Sequence, residues 1–150
     1  MGIKALPVLL MFAASSGYAL DATNLMSELT WEKRVLLIFA ADELDDGFQS
    51  QERILEAIGG GLLERDMIVI RAFADNRILI DEQSHGQSAP GFYQRFAVDK
   101  NEFRVILVGK DGGVKLDSVS AVSGNDLFAL IDSMPMRRSE MLQHDIAVPR

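Results

Sequence analysis

The sequence contains no cysteine. Thiol nucleophiles, disulfides and thiolate metal ligands are therefore excluded on this chain. Histidine is scarce as well: His85 and His144 are the only two, and neither has a partner at a recognisable metal-binding spacing. The glycine run at residues 59–61 ends a predicted helix, so it offers carbonyls where a phosphate needs N–H donors. With no nucleophile-elbow or phosphate-loop motif, the sequence predicts no catalytic residue, no cofactor and no metal site.

The start of the chain lacks an apolar run long enough to cross a bilayer, which needs roughly 20 residues. Its apolar run, residues 6–14, is preceded by Lys4 and followed by Gly17-Tyr18-Ala19, in which Gly17 and Ala19 are the small residues that signal peptidase accepts at positions minus three and minus one. We therefore predict a signal peptide at residues 1–19, export to the periplasm or the outside, and no membrane insertion after cleavage. The alternative is a helix or strand of the core.

Basic residues are fewer than acidic ones: the sequence has 15 Lys and Arg and 22 Asp and Glu, which gives a formal net charge of -7. Nucleic acids and anionic membranes attract proteins of positive potential, so neither is expected as the main partner. The proportions of 48% hydrophobic and 25% charged residues are ordinary for one globular domain.

Two apolar segments dominate the first half of the chain. Residues 35–39, Val-Leu-Leu-Ile-Phe, form a continuous run that is typical of a strand covered on both faces in a parallel sheet. Residues 67–70, Met-Ile-Val-Ile, indicate a second such strand. The intervening segment has the apolar face of a helix, which we expect to end at the glycines 59–61. A helix between two such strands predicts a right-handed parallel crossover.

The second half predicts one helix, a hairpin and a closing helix. Residues 75–87 are expected to be loop, apart from a short edge strand at 78–80, and Ser88 is a candidate cap for a helix that begins near Ala89. A strand at 103–108 leads through Lys110-Asp111-Gly112-Gly113 into an antiparallel partner at 114–116. Ser123 and Asp126 resemble a capping box, and Pro135 interrupts or ends the helix that follows.

The resulting order is β-α-β followed by α-β-β-α. This order is typical of an α/β, thioredoxin-like three-layer sandwich, with a central mixed sheet of about four strands flanked by helices. We expect the domain to occupy residues 20–142. A flexible tail without periodicity is expected at residues 143–150.

Four segments carry a family resemblance. They are Arg34 with the strand after it, Glu64-Arg65-Asp66, Val108-Gly109-Lys110-Asp111-Gly112, and residues 131–141 with their Met-Pro-Met-Arg-Arg sequence. Over roughly residues 25–141 the chain resembles the family catalogued as domain of unknown function 4174. The resemblance implies a thioredoxin-like, peroxiredoxin-related fold in secreted proteins that lack the paired active-site cysteines, and it implies no established reaction. The chain also lacks the proline that redox-active thioredoxins keep directly before the third strand.

An acidic turn occupies the position where a thioredoxin-fold protein keeps its chemistry. Its carboxylates are Asp42, Glu43, Asp45 and Asp46. Clustered carboxylates suit Ca²⁺, although their spacing is not that of an EF-hand loop. The alternative is that they are solvated acids stabilised by the N-terminus of the next helix.

The second candidate binding site is a set of basic residues in this acidic protein. Arginine can grip carboxylate or sulfate oxygens two at a time, so the set could bind an anionic ligand or partner. Each member could instead form an internal ion pair, with Asp66, Asp132 and Glu140 as candidate partners. The set comprises Arg34, Arg65, Lys110, Arg137 and Arg138.

Soft donors gather near the end of the chain. Met134, Met136 and Met141 lie close in sequence to His144, and thioethers select Cu(I). Packing is the alternative, because methionine fills irregular gaps in a core and Met134 lies on the apolar stripe of the last predicted helix.

The function predicted from these observations is an exported, non-redox thioredoxin-fold binding or interaction module. Its partner would be an unidentified protein or an anionic ligand. Two alternatives remain open: a thiol-independent enzyme of oxidant defence related to peroxiredoxins, and a periplasmic protein that handles copper or calcium.

Overall fold

The computed structural model describes residues 21–87 and 89–147. The predicted signal peptide, the Ser88 cap and residues 148–150 lie outside the described residues. The elements are α1 (Ala22–Leu29), β1 (Arg34–Ala40), α2 (Asp46–Glu64), β2 (Met67–Phe73), β3 (Arg77–Ile80), β4 (Gln83–Gln87), α3 (Ala89–Phe96), β5 (Arg104–Val108), β6 (Val114–Ser118), α4 (Gly124–Asp132) and α5 (Pro135–Ala147).

The strands form one mixed sheet in the order β4-β3-β2-β1-β5-β6. β1 and β2 are parallel and in register from Arg34 opposite Met67 to Ala40 opposite Phe73. Every other pairing in the sheet is antiparallel. The parallel crossover through α2 and the β5–β6 hairpin are therefore confirmed, and so is the thioredoxin-like α/β sandwich.

Apolar layers cover both faces of β1, which is why all seven of its residues are buried. On one face α1 and α3 pack against Leu37 and Phe39, and the ring of Tyr93 meets that of Phe39 edge to face at 5.0 Å. On the other face α2 and α4 pack against Leu36 and Ile38. The continuous apolar run at residues 35–39 is thus explained by the central position of β1 in the sheet.

The prediction that α2 ends at the glycines 59–61 is wrong, because the helix continues to Glu64. A Cβ built on Gly61 would lie 2.5 Å from the ring of Phe128 on α4, so the absence of a side chain there permits close packing of the two helices. Leu62, one residue on, packs against the core. Tertiary contact at this position outweighs the low helix propensity of glycine.

Two further segments differ from the predictions. The strand at 78–80 is not an edge, because β4 pairs with its outer side. The sheet therefore has six strands instead of about four, and the predicted loop at 84–87 is part of β4. At the other end of the chain, the predicted flexible tail is helical from 143 to 147, as the last part of α5.

Candidate functional site

The acidic turn lies at the C-terminal end of β1. Two of its carboxylates, Asp42 and Asp45, accept hydrogen bonds from the backbone, and Glu43 pairs with Arg77 at 2.6 Å. Asp42 accepts a hydrogen bond from the N–H of Leu44 at 2.8 Å, and Asp45 caps α2 by accepting from the N–H of Phe48 at 3.0 Å. Asp46 lies in the first turn of α2, where the helix dipole favours a negative charge. Among residues 21–87 and 89–147, no three His, Asp or Glu side chains are placed to hold a metal ion.

An aromatic ring covers the start of α2. A Cβ built on Gly47 would lie 2.7 Å from the ring of Phe103, the residue just before β5. Gly47 therefore lets the ring sit directly on the helix backbone. Together with the Asp45 cap, this contact occupies the helix end at which a thioredoxin-fold protein presents its redox group.

Tyr93 closes the same end of the sheet from the other face. Its buried hydroxyl lies 3.2 Å from the carbonyl oxygen of Ala40 and 3.0 Å from that of Ala72. Its single proton is therefore shared between two acceptors at the C-terminal ends of β1 and β2. Burial, and then the negative charge of Asp75, raise the pKa of Tyr93 to about 12. The phenol stays protonated at neutral pH and acts as a donor that ties the two strands together.

The predicted basic residues gather at the opposite end of β1. Arg34 is 1% exposed and donates two hydrogen bonds of 3.1 Å to the carboxylate of Glu140 on α5. Its Nη1 also donates to the carbonyl of Arg65 at 2.8 Å. Lys110, from the hairpin turn, contacts Asp66 at 2.8 Å and Glu140 at 2.7 Å. One carboxylate on α5 therefore contacts two buried cations, one from β1 and one from the hairpin turn.

Two further cations, Arg65 and Arg137, join the end of α2 to α4 and α5. Arg65 grips Asp132 with two hydrogen bonds, of 2.9 and 2.7 Å, and its guanidinium lies 3.9 Å from the centre of the Phe128 ring. Arg137, 5% exposed, contacts Asp132 at 3.2 Å and Glu64 at 2.7 Å. We call these eight charged residues the ionic network: Arg34, Glu64, Arg65, Asp66, Lys110, Asp132, Arg137 and Glu140.

The ionic network favours the charged form of three of its acids, Asp66, Asp132 and Glu140. Hydrogen bonds from Arg65 lower the pKa of Asp132, and the hydrogen bond from Lys110 lowers that of Asp66. Burial alone would favour the neutral form of Glu140, but its hydrogen bonds from Arg34 and Lys110 outweigh burial and lower its pKa. The internal ion pairs proposed as the alternative to ligand binding are thus present.

The structure does not bring the two sets of predicted site residues together. Arg34 begins β1, and the acidic turn with Asp42, Asp45 and Asp46 follows its end. Seven strand residues at about 3.3 Å each separate the sets by roughly 20 Å. Arg138 is exposed and has no ion-pair partner among the described residues. The acidic turn and the basic residues are therefore two separate regions.

The soft donors also separate. Met134 and Met136 line a pocket beside the β5–β6 hairpin. Met141 and His144 line a different cavity of about 430 Å³, between α5 and the turn that follows α2. Packing accounts for Met134, which contacts the core, while Met136 is 38% exposed.

The pocket beside the hairpin is the candidate site, and we call it the hairpin pocket. Its volume is about 290 Å³. The Nε of Arg34 is one of only two buried side-chain nitrogen or oxygen atoms in the described part of the chain without a hydrogen-bond partner. Besides Arg34 and Lys110, Lys115 contributes a third cation, held 2.8 Å from Asp111. The lining comprises Arg34, Gly109, Lys110, Asp111, Lys115, Ser133, Met134, Pro135 and Met136.

Sequence reasoning missed Lys115 and Glu64. Lys115 lies on β6 within a polar, alternating stretch, and only the pairing of β6 with β5 places it beside Lys110. Glu64 was noted as part of a motif, but its contact with Arg137 is 73 residues away in sequence. No local signal in the sequence reports contacts of that range.

The sequence matches the family described as a domain of unknown function, DUF4174, over residues 25–140. The chain belongs to this family. All residues that line the hairpin pocket, apart from Lys115, lie in the segments on which the resemblance was based. None of the curated proteins compared with the sequence matches it.

A solved structure shares the fold. The chain is similar to a reduced 2-Cys peroxiredoxin of Plasmodium vivax, with a TM-score of 0.52 and 13% sequence identity, over 81% of this chain and 84% of that chain. At this identity the likeness shows a thioredoxin-like fold, and the present sequence has no cysteine.

No helix among the described residues is long and apolar enough to cross a membrane.

Proposed function

We propose that the chain is an exported, non-redox binding module that holds a small anionic ligand in the hairpin pocket. The observation that carries the proposal is the Nε of Arg34, a donor without an acceptor among the described residues, on a side chain that is 1% exposed and lines the pocket. A buried donor left unpaired costs roughly 1–3 kcal/mol. An oxygen atom of a ligand would remove that cost.

The rest of the lining favours an anion with a short apolar part. Lys115 carries three N–H donors and gives one to Asp111, which leaves donors for a ligand. The side chains of Met134 and Met136 and the ring of Pro135 supply apolar surface. A carboxylate on a short hydrocarbon chain combines both properties.

The non-redox part of the proposal rests on the other end of the sheet. The sequence has no cysteine, and Asp45 and Phe103 occupy the helix end where thioredoxin-fold proteins place their redox group. At the same end, Asp42 accepts from the backbone, the hydroxyl of Tyr93 donates to it, and Glu43 pairs with Arg77. These observations favour a binding function over thiol chemistry.

Titration of ¹⁵N-labelled protein with butyrate, and with its neutral isostere butyramide, tests the proposal. We expect butyrate to bind more tightly and to shift the amide signals of Gly109, Lys110 and Met136. Lys115→Gln should weaken butyrate binding, whereas Lys100→Gln is the matched control, because Lys100 bonds to Asn76 outside the pocket. Equal binding of the two probes, or shifts elsewhere only, would contradict the proposal.

Export is the second part of the proposal. Lys4, the apolar residues 6–14 and the small residues before Leu20 support it. Expression of the full chain in a bacterium, followed by fractionation and N-terminal sequencing, should give a periplasmic or secreted protein that begins at Leu20. A cytoplasmic protein with an intact start would refute export and leave the pocket proposal standing.

A further inference from the structure

The second buried atom without a partner lies in a different place. Arg71, on β2, is 6% exposed, and its Nη1 has no hydrogen-bond partner among the described residues. Its Nε and Nη2 both donate to Glu52 on α2, at 2.7 and 3.0 Å. The charge of Arg71 is thus already balanced, and Nη1 is a buried donor that still lacks an acceptor.

Arg71 lines a groove between α2 and the turn after β3. The groove has a volume of about 330 Å³. Its floor includes the buried side chains of Leu55 and Val69, which are 4% and 5% exposed. The residues that line it are Glu52, Leu55, Glu56, Gly59, Leu62, Val69, Arg71, Asp81 and Glu82. We call it the α2 groove.

The rim of the α2 groove is acidic. Glu56 and Glu82 are exposed and have no ion-pair or hydrogen-bond partner among the described residues. Asp81 accepts a hydrogen bond from the N–H of Val69 but pairs with no described cation. Beyond the Arg71–Glu52 pair, the groove therefore carries three uncompensated negative charges, which attract a cation.

We propose that the α2 groove binds an amino-terminal aminoacyl group with an apolar side chain, as on a peptide. The ammonium group would meet the carboxylates of Glu56 and Glu82. The adjacent carbonyl would accept from Nη1 of Arg71, and the side chain would lie on the apolar floor. A carbonyl suits Nη1 better than a carboxylate does, because Glu52 already neutralises the guanidinium and the rim repels a further anion. This proposal does not depend on the function of the hairpin pocket.

Four small probes test separately the contacts of the ammonium group, the carbonyl and the apolar side chain. Leucinamide has the ammonium, the carbonyl and the apolar side chain, and we expect it to bind most tightly by calorimetric titration. N-acetyl-leucinamide lacks the charge, glycinamide lacks the side chain, and leucine replaces the amide by a carboxylate. If N-acetyl-leucinamide binds as well as leucinamide, or leucine binds more tightly, the proposal is wrong. Absence of leucinamide binding at millimolar concentration would also overturn it.

Two neighbouring glycines provide a matched pair of variants. A Cβ built on Gly59 or Gly60 meets nothing within 4 Å, so leucine at either position should be tolerated and should favour the helix. Gly59 lines the groove and Gly60 does not. We expect Gly59→Leu to abolish leucinamide binding while the protein stays folded, and Gly60→Leu to leave binding unchanged. An equal effect of both variants, or no effect of Gly59→Leu, would refute the assignment.

Substitutions that remove one negative charge test the acidic rim of the α2 groove. Glu56→Gln should raise the dissociation constant for leucinamide about threefold, the size expected for one exposed ion pair. Glu32→Gln, an exposed acid outside the groove, should not change it. A peptide with a free amino-terminal leucine should bind like leucinamide, and its N-acetylated form should not; failure of that distinction would overturn the proposed ligand class.

Discussion

Arg34 and Glu140 form a two-point ion pair that joins the first residue of the central strand to the last helix, with both N–O distances at 3.1 Å. Arg34 is almost completely buried, while Glu140 is about a quarter exposed. The pair therefore anchors α5 to the sheet at a position where neither partner can be removed without leaving a charge in or near the core.

The first prediction concerns that pair. Glu140→Gln leaves the buried guanidinium of Arg34 without its carboxylate, and we expect a loss of about 3 kcal/mol in the free energy of unfolding. Urea denaturation followed by circular dichroism measures it. Arg138→Gln on the same helix is the control, since Arg138 is exposed and should change stability by less than about 0.5 kcal/mol. Equal effects of the two variants would show that the Arg34 pair adds no stability.

The second prediction is a loss of stability in acid. The pKa values of Asp66, Asp132 and Glu140 are lowered from ordinary values of 3.8, 3.8 and 4.5. Below those ordinary values the unfolded chain binds more protons than the folded one, so the stability that these acids contribute is present above them and lost as the pH falls through the folded values. The melting temperature should fall between about pH 5 and pH 2. Asp132→Asn should flatten that fall, and a fall as steep as that of the unchanged protein would contradict the prediction.

The third prediction compares alanine substitutions at two adjacent glycines. Gly60→Ala should stabilise the protein by roughly 0.5–1 kcal/mol, because its Cβ would meet open space and alanine favours a helix. Gly61→Ala should destabilise it by about 1–3 kcal/mol, because its Cβ would lie 2.5 Å from the Phe128 ring, which Arg65 holds from above. Chemical denaturation of the two variants gives the signs directly. The same sign for both would contradict the close packing of α2 on α4.

The fourth prediction uses the tyrosines. The sequence has two, Tyr18 and Tyr93, so a protein that begins at Leu20 would retain Tyr93 alone. Absorbance at the tyrosinate band should then report one native transition near the pKa of about 12, raised from 10.0. Because the unfolded chain ionises first, stability should fall as the pH rises from 10 toward 12. Tyr93→Phe should abolish the transition and cost roughly 0.5–1.5 kcal/mol; a native transition near 10 would contradict burial of the hydroxyl.

The central sheet was predictable because its signal is local. Residues 35–39 and 67–70 are continuous apolar runs, and such runs arise where both faces of a strand are covered. The hairpin was predictable from Asp111-Gly112 for the same reason, since a turn is encoded in neighbouring residues. Strand β4 was missed because Gln83–Gln87 is polar and pairs at the sheet edge, where no apolar pattern is required.

The candidate sites were less predictable because they depend on contacts between distant segments. The sequence suggested that Asp66, Asp132 and Glu140 could pair with the basic residues, and they do: Asp66 with Lys110, Asp132 with Arg65, and Glu140 with Arg34. It could not show that α4 and α5 bring these acids to the end of β1 at which Arg34 lies. Arg71 stands out as a charge within an apolar strand, but its partner Glu52 lies across the helix–sheet interface, 19 residues away in sequence.

The attachment of α5 has a thermal consequence. Arg137 is its only buried residue in the described range, so separating this helix from the sheet would hydrate charges and expose little hydrocarbon. Heat capacity on unfolding arises mainly from newly wetted apolar surface. The curvature of the free energy of unfolding with temperature therefore comes from the two apolar layers around β1. The contacts of α5 increase the free energy of unfolding but add little to that curvature.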